Sequence, residues 1–505
     1  MRQSRRNIKK KIINKTIKRK RKRNIRIKTG GKVIGSGAYG CIFSPAIKCR
    51  DTPKHLKRET DKISKLMLKR DADNEFEKIN LIKLKLDTIP NHQDYFVIDN
   101  ITICEPANLQ TADLVNFTSK CDNLIRNVGV HHSIINQALE QLRIINMKNA
   151  GIELDDYLYT NITMEKIYKL HISLVELLKN GIVPMNKLNV YHCDIKHSNI
   201  LVEVVNKKTG ELKTRLIDWG LATEYKPFEN NPLPLVWKNR PLQFNVPFSV
   251  ILFTDAFTSR YNDFIKNGGN LNEEELKPFV KDYIKFWVNG PGKGQNNHYK
   301  FINETMKMIF IDGLDDVEED KKDEVLENEI TKPIIEEYII NVLVYFTKFK
   351  EDGTFDLTYY IDNIFIKIVD IWGFIESYNP ILAILSQNYD KLTPEMKKVF
   401  KQLQFIYNEY LYSLKPEPIN IDKLYSSLDV MQQLLHIVIY GKPDENLKSI
   451  DGLPKAAATP PKAAATPPKA AATPPKAAAT PPKAAATPLS NEDIEIPKIK
   501  TPETI

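Results

Sequence analysis

The chain has few cysteines, only five in 505 residues, and none of them lies in a C-x-x-C pair. An odd count argues against a framework of disulfides, and the wide spacing argues against a structural zinc site. We therefore expect the thiols to be reduced, as is typical of an intracellular, reducing compartment. The five are Cys41, Cys49, Cys104, Cys121 and Cys193.

Long apolar runs are also missing. No stretch of 18 or more apolar residues occurs, so we expect no membrane span. No apolar run follows the basic start of the chain, and we expect no signal peptide. Apolar residues still make up 42% of the sequence, which is typical of globular proteins. The length is too great for one ordinary domain and sufficient for a two-lobed enzyme with tails.

Acidic residues are absent from residues 1–28, which contain fifteen Lys or Arg. Without these fifteen charges the formal net charge of +10 becomes −5, so the basic character belongs to this tail. Such a composition predicts disorder. The tail is either a solvated segment or a contact site for nucleic acid or another anionic partner, and the sequence leaves both open.

The other end of the chain is repetitive. Residues 455–488 repeat K-A-A-A-T-P-P five times, the last copy ending in Pro-Leu. Frequent Pro excludes a continuous helix, and the period of seven has no apolar seam. We predict an extended, partly polyproline spacer within a tail over 446–505.

Between the tails the pattern changes once. Residues from Gly30 to about Ile145 suggest strands and one helix, whereas residues 146–445 are mostly helical in pattern. One clear example is 163–180, where apolar residues recur at helical spacing and Gly181 is the predicted end.

The segment Y-H-C-D-I-K-H-S-N-I-L at 191–201 contains a set of residues suited to phosphoryl transfer. That reaction requires a carboxylate beside the attacking hydroxyl, a cation for the moving phosphoryl group and a nearby metal ligand. At this spacing Asp194 provides the carboxylate, Lys196 the cation and Asn199 the metal ligand, while His192 helps to hold the loop.

A second motif, L-I-D-W-G-L-A at 216–222, follows the first at a spacing that allows both to form one site. Residues 200–205 and 213–218 are predicted to form a hairpin that returns the chain to the same site. Asp218 is then placed to bind Mg²⁺. Gly220 permits a sharp turn, and Trp219 is expected to act as a hydrophobic plug.

Upstream, I-G-S-G-A-Y-G-C-I at 34–42 is rich in glycine. Alone this pattern also fits dinucleotide-binding folds, but those require a helix to start within the motif. Because a strand-like segment follows instead, we predict a glycine hairpin that covers phosphates. The residues assigned to it are Ile34, Gly35, Ser36, Gly37, Ala38, Tyr39, Gly40 and Ile42.

A lysine that binds phosphate has two candidates. Lys48 lies in A-I-K but follows Gly40 too closely, whereas Lys65 lies in a strand-like segment just before a helix. We favour Lys65. Its predicted partner is Glu75 on that helix, with Glu77 as the alternative.

The order of these motifs, with D-I-W-G at 370–373, resembles the eukaryotic-type protein kinases over roughly residues 30–445. More narrowly, 35–45, 64–67, 191–201, 240–248 and 370–374 resemble the serine/threonine kinases of giant nucleocytoplasmic DNA viruses. The resemblance implies ATP and Mg²⁺ as cofactors, with Asp194 as base and Asn199 and Asp218 on the metal. It also implies a viral protein acting in the host cytoplasm or packaged in the virion.

The same resemblance implies an α+β, bilobal fold. Residues 29–145 would form a small β-rich N-lobe and 146–445 a larger helical C-lobe. A long insert near 255–365 would lie within the C-lobe. The inter-lobe hinge is expected at 144–151, and Asp370 is expected to anchor the catalytic loop from a buried helix.

Two departures from the family pattern affect these expectations. Cys193 stands where many kinases have an Arg that pairs with a phosphate on the activation loop, so we expect activity without that phosphate. No A-P-E follows Gly220, and Asn245-Val246-Pro247 is the candidate substitute.

Two other functions stay open at this point. A small-molecule kinase of the aminoglycoside or choline type also uses H-x-D-x-x-x-x-N, and Ile217-Asp218-Trp219 is typical of that class. A non-catalytic pseudokinase scaffold is the second. Lys196 and the glycine hairpin favour a protein substrate, whereas the oligomeric state cannot be read from the sequence.

Overall fold

A computed structural model describes residues 31–37, 40–53, 55–129, 131–229, 232–289, 293–314, 317–351, 353 and 355–445. Within these residues the chain is an α+β protein, an antiparallel sheet followed by a mostly helical region. Both predicted tails lie outside the described residues, as do Ala38 and Tyr39 of the glycine motif.

The first part of the chain is a five-stranded antiparallel sheet. Its strands are β1 (Lys32–Gly37), β2 (Gly40–Ser44), β3 (Lys62–Leu68), β4 (Thr102–Cys104) and β5 (Leu142–Lys148). Their order across the sheet is β1-β2-β3-β5-β4. The predicted hairpin is present, since β1 pairs directly with β2, with Gly37 opposite Gly40.

One long helix, α1 (Lys69–Leu86), follows β3 and packs on the sheet. Its buried positions recur at intervals of three and four residues, as expected for one face of a helix. These positions are Ala72, Glu75, Ile79, Ile82 and Leu86. Two short helices, α2 (Phe117–Lys120) and α3 (Asp122–Val128), lie between β4 and β5.

Three small sheets accompany the helical region. They consist of β6 (Ile152–Glu153) with β8 (Ile200–Asn206) and β9 (Glu211–Leu216), of β7 (Val190–Tyr191) with β10 (Thr223–Glu224), and of β11 (Lys348–Phe349) with β12 (Phe355–Asp356). The antiparallel β8–β9 pair confirms the hairpin predicted just after Asn199.

The helices of this region bury a continuous apolar core. They are α4 (Leu154–Tyr159), α5 (Met164–Leu177), α6 (Val183–Lys187), α7 (Asp255–Lys266), α8 (Glu273–Asn289), α9 (Lys293–Ile309), α10 (Lys322–Val325), α11 (Lys332–Phe346), α12 (Thr358–Tyr360), α13 (Ile366–Glu376), α14 (Asn379–Gln387), α15 (Pro394–Tyr410) and α16 (Ile421–Tyr440). Three π-helical turns join neighbouring helices, at Leu178–Ile182, Leu326–Thr331 and Ile361–Phe365. The predicted insert near 255–365 is therefore largely helical.

The prediction that Gly181 ends a helix is wrong. The π-turn Leu178–Ile182 carries the helix through Gly181 and on into α6. A Cβ at position 181 would lie 2.9 Å from the Cβ of Tyr95, which is closer than real Cβ contacts. The glycine is thus explained by tight packing against a neighbouring residue and not by a helix terminus.

One helical stretch, Thr358–Gln387, is long and apolar enough to span a membrane by length and composition alone. Its apolar window is 94% buried inside the protein. Such burial is typical of a core helix. Part of this stretch, α13, packs against the loop described below.

The expectation of unpaired cysteines is wrong for four of the five. Cys41 is bonded to Cys121, and Cys49 to Cys104, with Cα–Cα distances of 5.2 and 5.7 Å. The partners are 80 and 55 residues apart in sequence, so only the fold brings them together. Cys193 is a buried free thiol.

This pairing predicts a specific thiol count. The native, unreduced protein should show no fast reaction with a thiol reagent, because the one free cysteine is buried. Unfolding without reductant should expose one thiol, and unfolding after reduction should expose all five. Mass spectrometry of the alkylated protein measures this, and three or more thiols before reduction would contradict the assignment.

A second prediction concerns Glu376, at the end of α13. Burial raises the pKa of this carboxyl to about 8, against one hydrogen bond of 3.0 Å from Tyr412 Oη, which lowers it. The ordinary Glu pKa is about 4.3. Between these two values the folded state keeps a proton that the unfolded state has lost, so stability falls as the pH rises to about 8.

The variant Glu376→Gln has no such proton. The difference in free energy of unfolding between the variant and the wild type should therefore grow with pH, by at most about 1.4 kcal/mol per pH unit. Urea unfolding at several pH values between about 5 and 8 measures this difference. A difference that is constant across the range would refute the assignment.

Candidate active site

The loop after β7 is held by a single buried carboxylate, that of Asp370 in α13. Its Oδ2 accepts from His192 N at 2.9 Å and from Asn186 Nδ2 at 2.7 Å, and its Oδ1 accepts from Cys193 N at 2.8 Å. A buried carboxylate needs such donors to offset its lost hydration. The loop that begins at His192 is thereby fixed to the helical core.

Asp194 lies in this loop and is surrounded by donors. Its Oδ2 accepts from Lys196 Nζ and from Asn199 Nδ2, both at 2.9 Å. Its Oδ1 accepts from Asn245 Nδ2 at 2.8 Å. The side chain is 9% exposed, so the carboxylate is oriented but still reachable.

A second cluster joins the sheet, α1 and the end of β9. Lys65 Nζ lies 2.8 Å from both carboxylate oxygens of Glu75 and 3.0 Å from Asp218 Oδ1. Burial lowers the pKa of Lys65, but the charges of Asp218 and then Glu75 outweigh it and leave the pKa above its usual value. Conversely, burial raises the pKa of Asp218, and the Lys65 ammonium more than reverses that shift.

The structure thus pairs Lys65 with Glu75, whereas Glu77 is exposed. Lys48 lies in the loop after β2, where its carbonyl accepts from Ala107 N at 2.8 Å. The predicted strand around Lys65 and the predicted helix after it are confirmed.

Two hydrogen bonds connect the two clusters, one between backbone groups and one from a side chain to the backbone. Ile217 N donates to Asn199 O at 3.0 Å, and His192 Nε2 donates to Ile217 O at 3.0 Å. The next residue, Asp218, has a left-handed φ of 66°, a conformation that Asp tolerates better than most residues. The site is therefore continuous from Asp194 through Asn199 to Asp218 and Lys65.

Trp219 fills the space behind Asp218. It is 1% exposed and packs against Phe96 and His192, with ring centroids 5.6 and 4.9 Å away. This agrees with the predicted hydrophobic plug. Gly220 lies beside α1, and its carbonyl accepts from Lys78 Nζ at 3.0 Å.

The glycine hairpin and the connection after β5 border the same region. Ile42 of β2 is the cross-strand partner of Gly35 and of Lys65. A Cβ on Gly40 would lie 2.2 Å from Leu66 O, so only glycine fits there.

After β5, Gly151 has a φ of 124°, and an added Cβ would lie 2.2 Å from Val202 O. Ile34 is 40% exposed, and Ser36 and Gly37 complete β1.

The oxygen atoms of the site suit a divalent cation. The amide nitrogen of Asn199 is used by Asp194, which leaves its amide oxygen as a ligand, and Asp218 has a second carboxylate oxygen besides the one near Lys65. Carboxylate and amide oxygens are the ligands that Mg²⁺ takes in proteins. One ammonium is in direct contact with two carboxylates here, and burial raises the pKa of Glu75 against the lowering charge of Lys65.

The chain that follows Asp218 is tied to the loop around Cys193. Trp237 Nε1 donates to Cys193 Sγ at 2.9 Å, and Arg240 donates to Cys193 O at 2.6 Å. Burial raises the pKa of the Cys193 thiol. Farther along, Trp372 Nε1 donates to Phe244 O at 2.9 Å.

Sequence reasoning did not assign roles to several residues at this site. Asn245 was marked only as part of a substitute for A-P-E, yet it contacts Asp194 directly. Asn186 and Trp237 were not identified at all, and no local pattern distinguishes them from ordinary polar and core residues. Among the described residues, all the predicted groups of the catalytic loop lie at the site.

A solved kinase domain is among the structures that match part of this chain. No family model matches the chain, and no curated protein matches it. A crystal structure described as the kinase domain of PF14_0431 matches with 13% sequence identity and a TM-score of 0.25. The match covers 46% of this chain and 60% of that one, so it spans about three fifths of that domain. None of these findings supports the predicted viral origin, which stays a prediction.

Proposed function

We propose that the protein is an ATP-dependent serine/threonine protein kinase. One observation carries the proposal. Asp194 accepts hydrogen bonds from Lys196 and Asn199. Further hydrogen bonds join this group to the cluster of Lys65, Glu75 and Asp218. Phosphoryl transfer needs a base, a metal site and a phosphate-binding cation in mutual reach. The contacts from Asp194 to Lys65 supply all three.

Each residue has a separate task in this proposal. Asp194 accepts the proton of the attacking hydroxyl, and Asn245 and Asn199 hold its carboxylate in position. Lys196 offers positive charge beside the base. Lys65, kept protonated by two carboxylates, binds the α- and β-phosphates of ATP. Glu75 holds Lys65 in place.

Asn199 and Asp218 would hold Mg²⁺ in this scheme. The bound ion supplies positive charge for the phosphate oxygens of ATP. The glycine hairpin, from Ile34 to Ile42, would cover those phosphates, and the connection at 149–151 would border the adenine.

A protein acceptor is favoured by Lys196 and by the β1–β2 hairpin, and the choice of serine or threonine rests on the family resemblance. Incubation of the protein with γ-labelled ATP and either generic protein substrates or small alcohols separates the possibilities. Label in a small alcohol alone would indicate a small-molecule kinase. Nucleotide binding without transfer to either class would indicate a scaffold.

The roles of the two aspartates can be separated by substitution. Asp194→Asn should lower kcat by about 10²-fold to 10⁴-fold and leave ATP binding largely intact, because it removes the base. Asp218→Asn should weaken binding of Mg·ATP as well, because it removes a metal ligand. Turnover assays and nucleotide titration monitored by thermal shift measure the two effects.

The matched control is Asp282→Asn, at an exposed position of α8 where Asp282 contacts Arg260. It should change neither quantity. Equal effects of the Asp194 and Asp218 substitutions on binding and turnover would refute the assigned roles.

A further prediction concerns regulation. Cys193 replaces the Arg that would bind a phosphate. The chain after Asp218 is already held by Trp237 and Arg240, which donate to Cys193, and by Asp362, whose carboxylate accepts from Tyr225 Oη at 2.6 Å and Phe228 N at 3.0 Å. Treatment of the purified protein with a phosphatase should therefore leave its kcat unchanged. Phosphate loss is followed by mass spectrometry, and a dephosphorylated protein without activity would disprove this.

We also propose a location and a further partner. The two disulfides remove the argument from reduced thiols, so the location in the host cytoplasm or virion rests on the resemblance alone. The charge of residues 1–28 favours an anionic partner such as nucleic acid. Both proposals stay predictions.

A further inference from the structure

The sheet has a second apolar layer on the face opposite α1. It is covered by residues 107–129 and 131–141, which lie between β4 and β5 and include α2 and α3. We call these residues the cap segment. Its apolar side chains form one cluster with those of the sheet. The cap segment contributes Leu109, Phe117, Cys121, Leu124, Ile135 and Leu139, and the sheet and its loops contribute Val33, Cys41, Phe43, Ile47, Leu66, Leu142 and Ile144.

The cap face and the active-site face alternate along β2 and β3. Cys41 and Leu66 are cross-strand partners, both fully buried in the cap cluster. The next pair, Ile42 and Lys65, must point to the opposite face because successive side chains in a strand alternate. Cys41 therefore faces the cap segment, whereas the next residue, Ile42, faces the active site.

The cap segment is attached to both strands of the glycine hairpin. Cys121 is bonded to Cys41 in β2. Lys120, the residue before it, donates from Nζ to the carbonyl of Ile34 in β1. Phe117, one turn earlier, is fully buried in the same cluster. One covalent bond to β2 and one hydrogen bond to the edge strand β1 thus join the cap segment to the two strands.

The second disulfide has a different position. Cys49 lies in the loop that follows β2, where its backbone pairs with that of Pro106 in an isolated antiparallel bridge. Cys104 lies in β4. The sulfur atoms of both face Asn146 Nδ2, at 3.8 and 4.0 Å. This bond ties the loop to the far edge of the sheet and does not involve the cap segment or the hairpin strands.

We propose that the cap segment positions the glycine hairpin over the nucleotide phosphates, with Cys121 as the positioning residue, and that the Cys41–Cys121 bond makes this positioning sensitive to reduction. A dithiol reductant would give up two electrons and two protons, becoming a cyclic disulfide while Cys41 and Cys121 become thiols. The hairpin would then be held by non-covalent contacts alone. The inference rests on the proposed function, because it assigns the phosphates of ATP to this hairpin.

Two reciprocal variants isolate the bond. Cys49→Ala with Cys104→Ala leaves Cys41–Cys121 as the only disulfide, and Cys41→Ala with Cys121→Ala leaves only the control bond. Each is compared in oxidised form and after dithiothreitol. In the first variant, reduction should raise the KM for ATP and the Kd of a non-hydrolysable ATP analogue by about fivefold or more, with a smaller change in kcat. In the second variant, reduction should change neither.

A readout without nucleotide separates this inference from the proposed function. Hydrogen exchange of the backbone amides of β1 and β2 should accelerate on reduction of the first variant, because local opening becomes easier. If the oxidised wild type neither binds ATP nor transfers phosphate, the proposed function fails. If ATP binds but neither exchange nor affinity in the first variant responds to reduction, or if the second variant responds equally, the inference is wrong.

Should the second variant not fold, the wild type provides the comparison. Its response to reduction should equal that of the first variant, since only the Cys41–Cys121 bond is expected to matter. A wild-type response that is absent in the first variant would assign the effect to the Cys49–Cys104 bond and overturn the proposal.

Discussion

The buried carboxylate of Asp370 is the constraint on which the site depends. It receives the backbone amides of His192 and Cys193, so two consecutive peptide groups are fixed to α13. The same helix approaches the loop closely at Gly373, where an added Cβ would lie 2.5 Å from Ile195 O. Every donor around Asp194 is arranged relative to this anchored loop. Removing the carboxylate would leave several buried amides without a partner, which is costly in a dry interior.

Charge pairing explains why a buried lysine stays protonated in the second cluster. Burial alone would favour the neutral form of Lys65, but the charges of Asp218 and Glu75 keep its pKa above the usual value. Further positive charge reaches the cluster from Lys78, which acts on Glu75, and from Lys196, which acts on Asp218. Lys196 also forms an ion pair with Asp194. The two clusters are therefore linked by charge as well as by hydrogen bonds.

Most of the confirmed contacts are local in sequence, and the one distant contact that was predicted, the anchoring of the loop by Asp370, was expected from the family pattern. Asp194, Lys196 and Asn199 share one short loop, and Asp218 follows one hairpin, so local spacing was enough to predict their contacts. Lys65 and Glu75 are ten residues apart across a strand–helix junction and were also placed together. Gly181 was misassigned because a packing contact with Tyr95 cannot be seen in a helical pattern. The disulfides were missed because their partners are 80 and 55 residues apart in sequence and meet only in the folded chain.

The contacts between the chain after Asp218 and the loop at Cys193 could not be predicted from local sequence either. Cys193 has a left-handed φ of 60°, which is strained for a residue with a Cβ. Such strain persists only where the surroundings hold it. Here the thiol accepts from the Trp237 indole, the carbonyl accepts from Arg240, and the amide donates to Asp370. These three contacts come from two distant segments and use no exposed charge. The loop is therefore held from inside the protein, where an arginine at position 193 would have had to reach outward for an anion. The small, buried thiol of Cys193 is thus explained by packing and hydrogen bonding, which no local sequence motif indicates.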